Sequence, residues 1–151
     1  MTNRTIPLKY KYDQILVPTA PFNFEGTVHK PSHFPSSDNS YKDGKYRFSF
    51  LYQGRTLGIT LGNLGTIDKP KIRLTTFSSQ KLTESVLDSI RAEIEFRFDL
   101  NVDLEDFYKI CRKDNVLKTV LKRWRGARVS NGNSLYEFLV IATVLQNATA
   151  Y

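Results

Sequence analysis

Apolar positions alternate with polar ones through the first half of the chain and recur every three to four residues through the second. Phe22, Phe24, Gly26 and Val28 alternate with polar or charged neighbours, as do Tyr46, Phe48 and Phe50, then Leu57, Ile59 and Leu61, then Ile72, Leu74 and Thr76. A period of two puts each apolar row on one side of its strand, so these runs predict an antiparallel sheet with one face on a core. Tyr52-Gln53-Gly54-Arg55 predicts a tight turn between the second and third runs. Gly62-Asn63-Leu64-Gly65 with Asp68-Lys69-Pro70 predicts the next turn, which makes the middle strands a meander. Residues 31–40, with Pro31, Pro35 and six Ser, Asp and Asn side chains, fit neither period and predict a loop projecting from one edge.

After Phe77 the period lengthens. Thr83 is placed to cap a helix in which Val86, Ile90, Ile94 and Phe98 recur at four-residue spacing, and this helix is expected to be what the sheet packs on. A short helix over 104–111 gathers Leu104, Phe107, Tyr108 and Cys111. Asp114 is a good N-cap for a third helix, whose Leu117, Val120, Leu121 and Trp124 form one apolar stripe. That stripe assigns Trp124 to the core rather than to base stacking. Gly126-Ala127-Arg128 ends the helix and Asn131-Gly132 makes a turn. A last helix opens at Ser134, with Glu137 at capping-box spacing and an apolar face of Leu135, Phe138, Leu139, Ala142 and Leu145. No stop signal follows that helix before Tyr151, and nothing covers its face, so the chain is expected to be the front part of something larger.

Composition sets limits around this pattern. At 151 residues with 40% apolar and 25% charged content, the chain is of ordinary globular make-up. No run approaches the roughly 18 apolar residues of a membrane span, and no signal-peptide core is present. A protein of the cytoplasm, associated with the nucleoid, or of a nucleus is expected, rather than a secreted one. Cys111 is the sole cysteine, which excludes an intrachain disulfide. His29 and His33, the only histidines, make no metal site by themselves. Net charge is +7, which favours an anionic partner. Residues 118–128 hold five cations (Lys118, Lys122, Arg123, Arg125 and Arg128) and no acid; they form either a solvated face or a surface for that partner.

Three segments resemble the helix-hairpin-helix DNA glycosylases, the superfamily of the alkylation-repair and 8-oxoguanine glycosylases. Pro21-Phe22-Asn23-Phe24 through His29-Lys30-Pro31 is similar to the opening strand of their small sheet domain. Residues 98–108 with Asp114-Asn115-Val116-Leu117 are similar to the start of their helical body. Gly126-Ala127-Arg128 followed by Ser134-Leu135-Tyr136-Glu137-Phe138 and Val144-Leu145-Gln146-Asn147 is similar to the turn and helix that face the lesion. The resemblance implies an α+β fold in two parts. Residues 1–99 would form an antiparallel sheet, like half of the TATA-binding protein, with its packing helix. Residues 100–151 would begin an all-α domain.

The resemblance also implies a function: recognition of a damaged base in double-stranded DNA, with N-glycosidic hydrolysis, and in some members lyase activity, in the complete enzyme. The family's catalytic hairpin, Asp and Lys have no counterpart here, so the chain alone is expected to be inactive. Asp99, Asp103, Glu105 and Asp106 sit where capping is the simpler role. DNA contacts are expected from Lys122, Arg123, Arg125 and Arg128. Gln146 and Asn147, whose amides both donate and accept, are expected either at the base left unpaired when its partner flips or merely at the end of a helix. No cofactor or metal is expected. Two other readings stand beside this one: a non-catalytic basic module that binds nucleic acid, and one half of a split enzyme whose partner chain covers the last helix.

Overall fold

The computed structural model describes residues 7–28, 39–129 and 135–146. Its strands are β1 (Tyr10–Leu16), β2 (Asn39–Lys42), β3 (Lys45–Tyr52), β4 (Arg55–Asn63) and β5 (Ile72–Ser78). Its helices are α1 (Phe24–Val28), α2 (Glu84–Arg97), α3 (Glu105–Cys111), α4 (Asn115–Trp124) and α5 (Leu135–Leu145). The sheet is antiparallel throughout in the order β1-β5-β4-β3-β2, so the fold is α+β, as the two periods predict.

The hairpins follow from their turn residues. Gln53 and Gly54 both take positive φ, 48° and 72°, between the paired ends Tyr52 and Arg55. That conformation matches the right-handed twist of the flanking strands and is easiest with glycine at the second position. Asp43 and Gly44 repeat it between β2 and β3. Leu57, Ile59 and Leu61 of β4 and Ile72 and Leu74 of β5 then turn the same way and are 0–2% exposed. Ile90, Ile94 and Phe98 on the facing side of α2 are 0–1% exposed and complete the core. Each such side chain contributes about 1.5–3 kcal/mol on burial. Thr83 is the N-cap of α2, its hydroxyl accepting from the Val86 amide at 3.4 Å.

Two elements differ from the period-two reading. Residues 22–28 were expected as a strand, and Phe24–Val28 is helix α1. The Asn23 carboxamide accepts the Gly26 amide at 2.9 Å, and the Asn23 carbonyl accepts the Thr27 amide and hydroxyl at 3.0 and 2.7 Å. An asparagine that satisfies the first turn starts a helix, and Phe24, Thr27 and Val28 are then buried at helical spacing. Strand β1 carries no clear alternation because it is an edge. Of its seven residues only Leu16 is fully buried, while Tyr12 packs on the core and its hydroxyl accepts the Leu82 amide at 2.9 Å.

The apolar stripe of α4 is also not core. Leu117, Val120 and Trp124 are 37–48% exposed, Val116 is 73% exposed, and α4 has no buried residue. Periodicity marks a face that can be covered, and the element packed most extensively against α4 is the short helix α3. In α3, Tyr108 and Cys111 are buried and Phe107 is exposed. The histidines, Ser134 and most of the projecting loop lie outside the described residues.

Candidate nucleic-acid interface

The basic segment is built on a turn. Asp114 caps α4, its carboxylate accepting the amides of Val116 and Leu117 at 2.8 Å each. At the other end Gly126 takes φ of 82°, donates its amide to the Tyr108 hydroxyl at 2.9 Å, and accepts the Asn23 amide at 2.7 Å. A Cβ there would lie 2.7 Å from the Asn23 nitrogen, so only glycine lets the chain pass this close to the start of α1.

Two residues further on, Arg128 is 4% exposed. Its amide donates to the Thr27 hydroxyl at 3.1 Å. Its guanidinium donates to three backbone carbonyls: Nε to Asp99 at 3.3 Å, and Nη2 to Thr19 at 3.2 Å and Val102 at 2.9 Å. The Phe22 ring lies beneath it, 5.8 Å from the guanidinium carbon to the ring centroid. One planar fork thus joins the β1–α1 connection, the end of α2 and the approach to α3. Arg128 faces the interior of the chain.

The other cations divide. Arg125 forms a two-pronged pair with Asp68 of the β4–β5 loop, one contact at 3.3 Å, which ties the end of α4 to the sheet. The guanidinium donating to Asp68 holds that carboxyl below the usual carboxylate range, and the same hydrogen bond raises the pKa of Arg125. Lys118, Lys122 and Arg123 are exposed and have no ion-pair partner among the described residues. Arg123 lies over the Trp124 ring at 5.7 Å. Beside it a depression of about 280 Å³ is lined by Asn23, Glu25, Gly26, Arg123 and Trp124. The structure therefore leaves Lys118, Lys122, Arg123 and Trp124 exposed on α4, and turns Arg125 and Arg128 to structural partners.

Gln146, just after α5, is exposed, and its amide closes the helix on the Ala142 carbonyl at 3.2 Å; Asn147 lies outside the described residues. The nearby acids have local duties. Asp103 accepts the Glu105 amide at 2.9 Å at the start of α3, Glu105 pairs with Arg112 at 2.9 Å, and Asp106 pairs with Lys109 at 2.8 Å. Among the described residues no cluster of His, Cys, Asp or Glu has metal-binding geometry, and no helix is long and apolar enough to cross a membrane. The exposure of Trp124 was not readable from its stripe, because the pattern carries no record of what covers it.

No protein-family model matches the sequence, and no curated protein does. Among solved structures the chain is similar to a 3-methyladenine DNA-glycosylase from Archaeoglobus fulgidus, with a TM-score of 0.69 and 15% identity. The match covers 90% of this chain and 45% of that one, so the chain spans less than half the length of that protein. At this identity the likeness is one of fold.

Proposed function

We propose that the chain forms the sheet layer and first helices of a base-excision-repair DNA glycosylase, and that its partner is double-stranded DNA with a damaged base. The observation that carries this reading is the fold shared with the 3-methyladenine DNA-glycosylase over 90% of the chain. Lys118, Lys122 and Arg123 supply phosphate contacts, which position a duplex without reading its sequence. Gln146 and Asn147 reach the base left unpaired after flipping, where an amide serves as both donor and acceptor.

In the complete enzyme the N-glycosidic bond is hydrolysed, and the carboxylate for that step comes from outside these residues. Asp103, Glu105, Asp106 and Asp114 serve exposed caps and ion pairs, for which a structural role is the simpler one. The exposed apolar faces of α3 and α4 accord with this reading, since a helical body would cover Phe107, Ile110, Val116 and Val120.

The test uses duplexes carrying one alkylated, oxidised or deaminated base, with this chain alone and with a polypeptide supplying the rest of the helical body. Salt-sensitive duplex binding without base release by the chain alone, and release with the added half, is the expected result. Base release by the chain alone, or no duplex binding at all, refutes the reading.

A further inference from the structure

The face of the sheet turned away from α2 has its own charge pattern, and the strand register defines it. Lys42, Lys45, Gly62 and Arg73 lie opposite one another in a row across β2, β3, β4 and β5. The next row is Ser40, Arg47, Thr60, Thr75 and Asp13, and the next is Ser49, Gly58, Phe77 and Lys11. Five cations, Lys11, Lys42, Lys45, Arg47 and Arg73, thus share one face with a single carboxylate, Asp13. That carboxylate is occupied: it accepts the Thr75 hydroxyl at 2.5 Å and pairs with Lys11 at 3.2 Å. Lys42, Lys45 and Arg73 have no ion-pair partner among the described residues. On the opposite side of the layer, α2 carries Glu84, Asp88, Glu93 and Glu95 against Arg91 and Arg97. A surface charged only for solubility intersperses the two signs; this layer separates them.

The face is also hollowed. Two adjoining depressions, of about 410 and 220 Å³, share Arg47, Thr60 and Phe77. Gly62 adds no side chain to the floor, the Leu8 side chain lies over Gly58, 3.0 Å from where a Cβ would stand, and the hydroxyls of Ser40, Ser49 and Thr60 offer neutral donors. Strands lie about 4.8 Å apart, so Lys45 and Arg73, on either side of β4, start about 10 Å apart, and Lys45 and Arg47 are about 6.6 Å apart along β3. Charges spread at that spacing suit successive phosphates of a strand better than one small anion. Phe77 is the only aromatic side chain of this face within the hollow, and its ring can stack only on a base that is not already stacked in a duplex.

We propose that the outer face of the sheet is a groove for single-stranded nucleic acid, with Lys45, Arg47 and Arg73 on its phosphates and Phe77 beneath a base. None of these residues belongs to α4 or α5, so the inference does not rest on the glycosylase reading. The test is fluorescence anisotropy of a labelled oligothymidylate, longer than the roughly 4–16 nucleotides such a groove covers, across a series of salt concentrations.

The triple variant Lys45→Thr/Arg47→Thr/Arg73→Thr keeps strand-forming side chains. It is expected to bind at least about tenfold more weakly, and its log affinity against log salt to flatten by about 2, at about 0.7 per lost phosphate contact. Phe77→Leu, which keeps an apolar side chain, is expected to weaken binding about fivefold or more. A control triple variant, Lys69→Thr/Lys81→Thr/Lys113→Thr, removes the same charge elsewhere and is expected to leave the slope unchanged. Equal losses from the two triple variants reduce the effect to net charge and overturn the proposal. So does tighter binding of a duplex than of the single strand at this face, or binding that depends on these residues with phosphatidylserine vesicles and not with the oligonucleotide. Where circular dichroism shows the triple variant unfolded, Lys45→Thr and Arg73→Thr are read singly, each expected to flatten the slope by about 0.7.

Discussion

Arg128 and Thr19 are 109 positions apart in the chain, and the guanidinium Nη2 of the first donates to the backbone carbonyl of the second at 3.2 Å. The same nitrogen reaches Val102 at 2.9 Å, while Nε reaches Asp99 at 3.3 Å. A cation that belongs to the most basic stretch of the sequence thus joins the sheet layer to the first helices. The carbonyls it satisfies lie in connections that have no ladder or helix to pair them.

Replacing Arg128 by Met is therefore expected to cost about 3 kcal/mol of stability, because three part-buried carbonyls lose a charged donor at once. Arg128→Lys recovers only part of this, since an ammonium does not reproduce the fork. Urea denaturation of both variants is the measurement, and wild-type stability in Arg128→Met would contradict the structure.

Gly126→Ala is expected to destabilise by about 2 kcal/mol or more, since a side chain in left-handed backbone costs about 1–2 kcal/mol before any contact is counted. Its Cβ would also meet the Asn23 nitrogen at 2.7 Å. Gly44, at φ of 67° with open space around it, provides a comparison in which only the backbone cost remains. The difference between the two alanine variants in chemical denaturation isolates the packing of the turn on α1.

The Asp13 carboxyl is held below its ordinary value, first by the hydrogen bond from Thr75; burial opposes this as the next largest effect, and the Lys11 pair and the positive charge of Arg73 add to the lowering. Its folded-state pKa lies below the unfolded value of about 3.9, so its contribution is fully present above that pH and is lost as pH falls through the folded value. In Asp13→Asn this part of the acid sensitivity is expected to vanish. Thermal melts between about pH 2 and 6 would show a shallower fall for the variant than for the wild type, and parallel curves would count against the Thr75 pairing.

On duplex DNA, Lys118→Ala, Lys122→Ala and Arg123→Ala are each expected to lower the salt slope by about 0.9, the value for one phosphate contact. Arg125→Ala is expected to lower stability instead, because it releases Asp68 in the β4–β5 loop. Salt titrations paired with melting curves separate the two effects.

Much of the architecture was legible in local pattern. Thr83 and Asp114 cap the helices they were expected to cap, the rows at Tyr46, Leu57 and Ile72 are strands, and Gln53-Gly54 turns between two of them. In each case the cause is local: a side chain within three residues of an orphan amide, a backbone angle that glycine tolerates, or side chains that alternate because a strand is pleated. Residues 22–28 misled because Phe24 and Val28 fit both periods, and the Asn23 hydrogen bonds decided for the helix.

Other features lie beyond local pattern for a physical reason. Hydrophobic spacing marks the faces of an element, but burial needs a second surface, and that surface arrives from far away in the chain. Val116, Val120 and Trp124 have the spacing of a core stripe and remain exposed, whereas Arg128 reads as a surface cation and is buried by carbonyls from three distant segments. The basic outer face of the sheet arises in the same way. Lys45, Arg47 and Arg73 sit among ordinary solvent-facing positions, and only the register of β3, β4 and β5 makes them neighbours. Local chemistry chose the elements, while long-range pairing decided which charges would act together and which would be spent inside.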